Sequence, residues 1–404
     1  MMNKETWKEK LLSEVLDLNY GKGLVKKERK DGSFPVYGSG GIVGYHNTSL
    51  VKGPGIIIGR KGSVGTIYYE ERNFFPIDTV FFVKILDTKE TDLKFLYYFL
   101  KQSNLKNLNS DAAVPGLKRN SALRQAINIP KYKTQKKIGS ILSNFDKLIE
   151  NNSKRIKILE RTAHNIYQKM FVKFNFGGGQ NSKMKSSEIG PIPIKWNLTN
   201  LGTVLIALES GKRPKGGINK SDNDIPSIGA ENIDGIANHD FTKEKYVSHS
   251  FYNSMKKGIV RDGDVGIYKD GAYIGKSTYF GEDFPHKKCC VNEHVFLLRT
   301  NNINITQKFL YIWFQQKNVV NQILALNTNA AQPGINQKDI RRLKILVPEE
   351  KIIKEFDNLI SPFFQIILNL AKKNLLLQKQ RDLLLPYLIS GRVDVSRVDM
   401  NMSF

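Results

Sequence analysis

The chain has 404 residues, of which 40% are hydrophobic and 25% charged, and carries a net charge of +24. This length exceeds one ordinary core and calls for two or more domains, and the composition excludes a disordered chain. The charge points to an anionic partner, nucleic acid being the commonest for a soluble chain.

Residues 1–185 hold 33 Lys+Arg against 16 Asp+Glu and the remainder 29 against 22, so both halves are basic and the first more so. The two cysteines, Cys289 and Cys290, are adjacent. That excludes a disulfide framework or a zinc site of separated cysteine pairs and suits a reducing compartment. The amino terminus, MMNKETWKEKLLSEV, lacks the apolar core of a signal peptide, and no window approaches a membrane span. The expectation is a cytoplasmic protein with no membrane partner.

In chain order, residues 31–85 hold short apolar runs, GIIIG and TVFFVKI, broken by Gly, Pro, Asn and Asp, which predict short strands and turns. A turn, AAVPG, follows at 112–116. Beyond it, Ile138, Leu142, Phe145, Ile149, Asn152, Ile156, Leu159, Ala163, Ile166 and Met170 step by four and three, the seam of a coiled coil. That helix spans about 50 Å at roughly 1.5 Å per residue. Residues 174–193 form a Gly/Ser/Lys/Pro-rich linker. Strand-like runs return over 224–300, the turn returns as AAQPG at 330–334, and a second seam follows. It comprises Phe356, Ile360, Phe363, Ile367, Leu370, Asn374, Leu377, Arg381, Leu384 and Leu388, with Pro362 as an expected start or bend.

These echoes make the chain an internal duplication. Trp7 pairs with Trp196, Gly21-Lys22 with Gly211-Lys212, Pro35 and Gly38 with Pro226 and Gly229, and Gly44 with Gly235. KFLYYF (94–99) matches KFLYIW (308–313), and Pro130 matches Pro348. The offset grows between Gly44 and Phe95 and is constant after the turn, as a variable loop region and a rigid helix would behave. Polar residues at seam positions Asn152, Asn374 and Arg381 cost stability but restrict register and orientation.

Catalytic motifs are not found. YGSGGIVG (37–44) spaces its glycines one residue too widely for a dinucleotide fingerprint, and GAYIGKS (271–277) lacks the first glycine of a phosphate loop. The six histidines are scattered, giving no local support for a metal, and no string of the kind used by amino-methyltransferases occurs. The chain reads as a binder without its own chemistry. Basic, aromatic and amide side chains interleave in both strand-rich blocks, the types that meet phosphates and base edges. Candidate DNA contacts are Tyr37, Ser39, Tyr45, His46, Arg60, Lys61, Lys118, Arg119 and Asn120 in the first block. In the second they are Asn232, Lys269, Asp270, Tyr273, Lys276, Asn336, Gln337 and Lys338. IGRKGSVG aligns with GIYKDGAYIG, so Lys269-Asp270 replaces Arg60-Lys61.

The segments SSEIGPIPIKWNLTNLG (186–202), PVYGSGGIVGYHN and IGRKGSVG, the repeated turn and the two post-proline helices resemble the specificity subunit of type I restriction-modification systems. The resemblance implies an α+β chain: two mixed, strand-rich DNA target-recognition domains in tandem pseudo-repeat, each followed by a long helix, the helices pairing as an antiparallel coiled coil. The expected segments are recognition domain 1 (1–136), spacer helix 1 (137–173), linker (174–193), recognition domain 2 (194–350), spacer helix 2 (351–391) and a tail (392–404). It also implies a non-catalytic subunit that reads a split, asymmetric site in double-stranded DNA. Methyltransferase subunits, expected as two, and restriction-translocase subunits would then hold S-adenosylmethionine, ATP and magnesium, with no cofactor on this chain. A stand-alone methyltransferase or nuclease with unrecognised motifs and a basic coiled-coil scaffold remain the alternatives.

Overall fold

A computed structural model describes residues 7–108, 116–176, 183–215, 224–271, 274–326, 334–396 and 398. Tyr273 and the Ala-Ala-x-Pro portions of both turns (112–115 and 330–333) lie outside the described residues. The chain forms two compact units, one of residues 1–149 and 376–404, the other of residues 150–375. Both boundaries fall inside long helices, so each unit unites one repeat with parts of two helices.

In the first unit the elements run β1 (Lys8–Leu11), β2 (Leu16–Tyr20), β3 (Phe34–Gly38), β4 (Gly41–His46), β5 (Gly55–Gly59), β6 (Ile67–Glu70), β7 (Phe75–Pro76) and β8 (Val80–Ile85). Then come α1 (Leu93–Gln102), α2 (Arg119–Leu123), β9 (Ala126–Ile129) and α3 (Tyr132–Tyr167), which continues into the second unit. Three sheets result, ordered β2-β8-β5-β6, β4-β3-β7 and β1-β9. The β-branched and aromatic runs GIIIG and VFFVKI supply the central strands β5 and β8, whose side chains suit a pleated, buried surface.

The second unit adds a short hairpin of β10 (Met184–Lys185) and β11 (Ile192–Pro193). After it come β12 (Asn197–Asn200), β13 (Leu205–Ser210), β14 (Ile225–Ile228), β15 (Lys245–Val247), α4 (His249–Ser254), β16 (Val265–Tyr268), β17 (Ser277–Tyr279), β18 (Cys290–Val291) and β19 (Val295–Thr300). The unit continues with α5 (Gln307–Phe314), α6 (Lys317–Ala325), α7 (Gln337–Arg342), β20 (Lys344–Val347) and α8 (Glu350–Ile389). Its sheets, β13-β19-β16-β17, β15-β14-β18 and β12-β20, repeat the first unit strand for strand. Even the parallel strand pair recurs, β3 with β7 and β14 with β18. The duplication read from sequence is a duplication of topology.

Registers test the pairings one at a time. Lys8 faces Ile129 and Asn197 faces Val347, which supports Trp7 with Trp196 and Pro130 with Pro348. Gly21 and Gly211 occupy one niche: a Cβ at Gly21 would lie 2.1 Å from the Ile77 carbonyl oxygen, and at Gly211 1.5 Å from that of Val291. No side chain fits there, so both copies hold glycine. Gly44 with Gly235 is wrong. Pro35 faces Tyr45 and Pro226 faces Tyr246, so Gly44 corresponds to Lys245; part of the extra length already enters before β15, and the rest enters after it. A strand glycine and a loop glycine had aligned by chance.

None of the predicted seam positions is exposed. In the second unit the Asn152 amide, only 5% exposed, donates to Asn374 Oδ1 at 2.9 Å, and Asn374 donates to Ser153 Oγ at 3.3 Å. In the first, Arg381 pairs with Asp146, which also accepts from the Tyr98 hydroxyl. Asn152 lies against Asn374, while Tyr167, later in α3, packs on Phe356, earlier in α8, so the helices run antiparallel, and each polar seam residue has its partner. Helix α8 begins at Glu350 and runs through Pro362 without a break. Ile360, Phe364 and Ile367 on either side are at most 2% exposed, and their burial outweighs the roughly 3 kcal/mol a proline costs in a helix.

Each unit has its own core. In the first, Leu12, Ile56, Ile58, Phe81, Phe95 and Ile127 enclose Ile138 and Leu142 of α3 and Leu385, Leu388 and Val395 of the carboxyl end. Lys137 Nζ donates to the carbonyls of Val395 (3.2 Å) and Ser396 (2.6 Å), tying the segment beyond α8 to that core. In the second, Tyr167, Phe309 and Phe356 pack edge to face or tilted around Phe171, which itself meets Trp196.

Candidate nucleic-acid interface

The order of strands brings two distant stretches of each repeat together. Leu117 N donates to Arg60 O at 2.9 Å and Lys61 bridges Gly116; in the second repeat Ile335 N donates to Lys269 O at 2.8 Å and Asp270 bridges Gly334. The segment after each turn therefore lies beside the loop that follows β5 or β16. The sequence alignment of Arg60-Lys61 with Lys269-Asp270 is a structural equivalence.

In the first repeat this junction forms an open cleft of about 750 Å³, lined by Asn19, Tyr20, Arg60, Lys61, Phe81 and residues 116–121. The Arg60 guanidinium lies 5.1 Å from the Tyr20 ring centre and 5.8 Å from that of Phe81, a cation–π seat that holds its planar fork in place. Tyr20 is 56% exposed, and sequence reasoning missed it; its place beside the Gly21-Lys22 anchor was the available signal. Lys61, Lys118 and Asn120 are exposed, and neither lysine is paired with a carboxylate among the described residues. Arg119 is different. It donates Nε to Leu18 O at 2.8 Å and pairs with Asp17, which anchors α2 to β2.

The same junction in the second repeat is chemically mixed. Lys269 Nζ lies 5.3 Å from the Phe296 ring centre, at the place of Arg60 over Phe81. Asp270 Oδ1 is 2.7 Å from His294 Nδ1, and Glu293 stands between His294 Nε2 (3.3 Å) and Arg213 (2.7 Å). Asn336 caps α7 by accepting from Asp339 N at 2.9 Å, while Gln337 and Lys338 are exposed on its first turn.

Several expected contact residues belong to the frame. Tyr37 is 6% exposed and donates to Glu70 at 3.0 Å; burial, then the Glu70 charge, raise its pKa well above the usual range. His46 is buried against Phe75 and accepts from Lys30 N at 3.0 Å. Asn232, 2% exposed, bonds Gly229 N and Asp240 O and shapes its loop. Packed against neighbouring elements, these polar and aromatic side chains satisfy buried groups instead of facing solvent. Ser39 is half-buried and uses its backbone to hold Thr66 and Tyr68; Tyr45 is exposed on β4. Lys276 pairs with Asp234 at 3.3 Å and lines a different cleft, beside Glu160 and His164.

Among the described residues, one group has metal-ligating character. His239, Glu244 and His286, scattered in sequence, converge in the second repeat. Burial raises the Glu244 pKa, but hydrogen bonds from both imidazoles outweigh it and bring it down to about 2; burial lowers that of His239.

The type I restriction modification DNA specificity domain matches residues 4–161 and 193–378, one match per repeat. The MjaIX specificity subunit of a type I restriction enzyme from Methanocaldococcus jannaschii is 24% identical over 310 residues, 76% of this chain and 70% of that one. The MjaVIII specificity subunit of the same organism is 23% identical, covering 85% and 77%. The crystal structure of a type I restriction-modification S subunit from M. genitalium shares the fold, with a TM-score of 0.61 at 20% identity over 95% of this chain and 96% of that one. Two matches, a duplicated topology and paired long helices lead to one conclusion: the chain belongs to the family of type I restriction-modification DNA specificity subunits.

Proposed function

We propose that this chain reads a bipartite, asymmetric site in double-stranded DNA in the cytoplasm, one half-site by each repeat. It would seat two methyltransferase subunits together with restriction-translocase subunits. It contributes no catalytic group; S-adenosylmethionine, ATP and magnesium act in those partners. The observation that carries the reading is one fold present twice with unlike side chains at the same junction: Arg60, Lys61 and Lys118 in one copy, Lys269, Asp270 and Gln337 in the other. Identical heads would read a palindrome; unlike heads in one chain read two different half-sites. The junction is proposed as the reading edge because Arg and Lys suit guanine O6/N7 and phosphate, Asp suits cytosine N4 and Gln suits adenine.

The test is a genome-wide methylation map with and without this gene. Loss of one bipartite motif supports the reading, and an unchanged map overturns it. For the purified chain, DNA affinity falls steeply with salt if phosphates are neutralised; a flat salt dependence favours a scaffold whose charge serves solubility.

A further inference from the structure

The second repeat contains two loops that the first lacks. Sixteen residues (229–244) join β14 to β15 where two (39–40) join β3 to β4, and ten (280–289) join β17 to β18 where four (71–74) join β6 to β7. Long loops with little regular structure are uncommon in compact domains and usually carry a function; these two are seated by the buried Ile233, Ile236, Phe280 and Phe284. His239 and Glu244 lie in the first loop and His286 in the second.

Their geometry is that of a ligand set. Glu244 Oε1 is 2.5 Å from His239 Nε2 and 2.5 Å from His286 Nε2, short for ordinary N–H···O bonds. All three donor atoms lie within 4.8 Å of one another. The His239 and Glu244 side chains are 3% and 4% exposed, and that of His286 is 26% exposed, which leaves one open side. The other carboxylate oxygen, Oε2, accepts from the Tyr246 hydroxyl at 3.1 Å, the outer support that metal-ligating carboxylates receive. The Phe241 ring packs edge-on to both imidazoles, at 4.5 and 5.6 Å, and shields the cluster. Tetrahedral zinc at about 2.0–2.1 Å holds its donors roughly 3.3 Å apart. Widening each Nε2–Oε1 pair by under about 1 Å therefore admits the ion.

We propose that His239, Glu244 and His286 bind one first-row divalent metal ion, zinc fitting the donor set best, and that the ion clips the two added loops of the second repeat together. Two neutral imidazole nitrogens and a carboxylate are borderline donors that suit zinc, and three protein ligands leave the fourth place, on the His286 side, to water. The role is structural and does not depend on DNA reading, since it is measured without DNA.

The test uses the full chain after chelation. Titration with zinc followed by calorimetry should give one equivalent bound, and cobalt(II) should give the visible absorption of a low-coordinate N/O site. Zinc at a hundredfold excess over its dissociation constant should raise the melting temperature by about 5 °C or more. His286→Ala, at the least buried ligand, should weaken binding at least about a hundredfold, and Tyr246→Phe about tenfold. Independently of any variant, zinc should protect His286 of the unaltered chain from diethyl pyrocarbonate, as located by peptide mass spectrometry. No stoichiometric binding, or binding that leaves His286 equally reactive, overturns the proposal and leaves a His–Glu–His hydrogen-bonded cluster.

Discussion

The two repeats share three sheets in the same strand order, yet differ in how they use charge. The first keeps its cations at the surface: Arg60 rests on Tyr20 and Phe81, and Lys61 and Lys118 face solvent. The second buries a cation. Arg299, 9% exposed, donates to both oxygens of Asp264 at 2.6 Å, to Glu209 at 2.7 Å and to Ile259 O at 2.8 Å. By register its counterpart in the first repeat is the exposed Lys84. One topology thus tolerates opposite solutions, because the sheet order depends on apolar strand faces while charged positions near strand ends are free to drift.

The comparison breaks most visibly at Arg299. Arg299→Ala leaves the buried Asp264 and the half-buried Glu209 without a counter-charge, and should destabilise the second unit by about 3–5 kcal/mol, whereas Lys84→Ala should change little. Denaturant melts of the two variants decide this; equal effects would erase the distinction.

At the reading edges, Arg60→Ala should weaken DNA binding by about 1–3 kcal/mol and relax specificity in one half-site only. Lys118→Ala should instead reduce affinity for all sequences and lower the salt slope by about one. Methylation mapping separates these outcomes, and a change in both half-sites for Arg60→Ala would refute independent reading. Asp270→Ala should alter the other half-site while leaving that of Arg60 intact.

The smallest effect concerns acid. Glu70, 7% exposed, accepts from Arg72 Nε at 2.9 Å and from Tyr37; burial raises its pKa, but these bonds more than offset it, so it lies below the ordinary value. A carboxyl depressed in the folded state adds stability that is complete above its unfolded pKa of about 4.3 and is lost as pH falls through the folded one. Glu70→Gln should flatten that acid limb for the first unit, as read by melting temperature against pH.

Much of the fold was legible. The seam positions step by four and three, and apolar periodicity is a local property that survives without tertiary context; Asn152, Asn374 and Arg381 stood out for that reason. Gly21 and Gly211 were legible because only glycine fits their niche. Tyr37, His46 and Asn232 read as surface contacts because a polar side chain looks the same in sequence whether it faces solvent or closes a buried hydrogen bond. Gly44 and Gly235 matched by letter, since a loop insertion leaves no mark on residue identity.

By itself the sequence determined the duplication, the two long helices with their polar seam residues, and the basic character of both halves, because periodicity, repeat order and charge are written locally. Tertiary structure decided which residues meet. It set Arg60 on Tyr20 and beside Lys118, Asp270 against His294, Arg299 between two acids, and His239 and Glu244 against His286. Strand order alone brings together residues that lie dozens of positions apart, and no local pattern encodes that proximity.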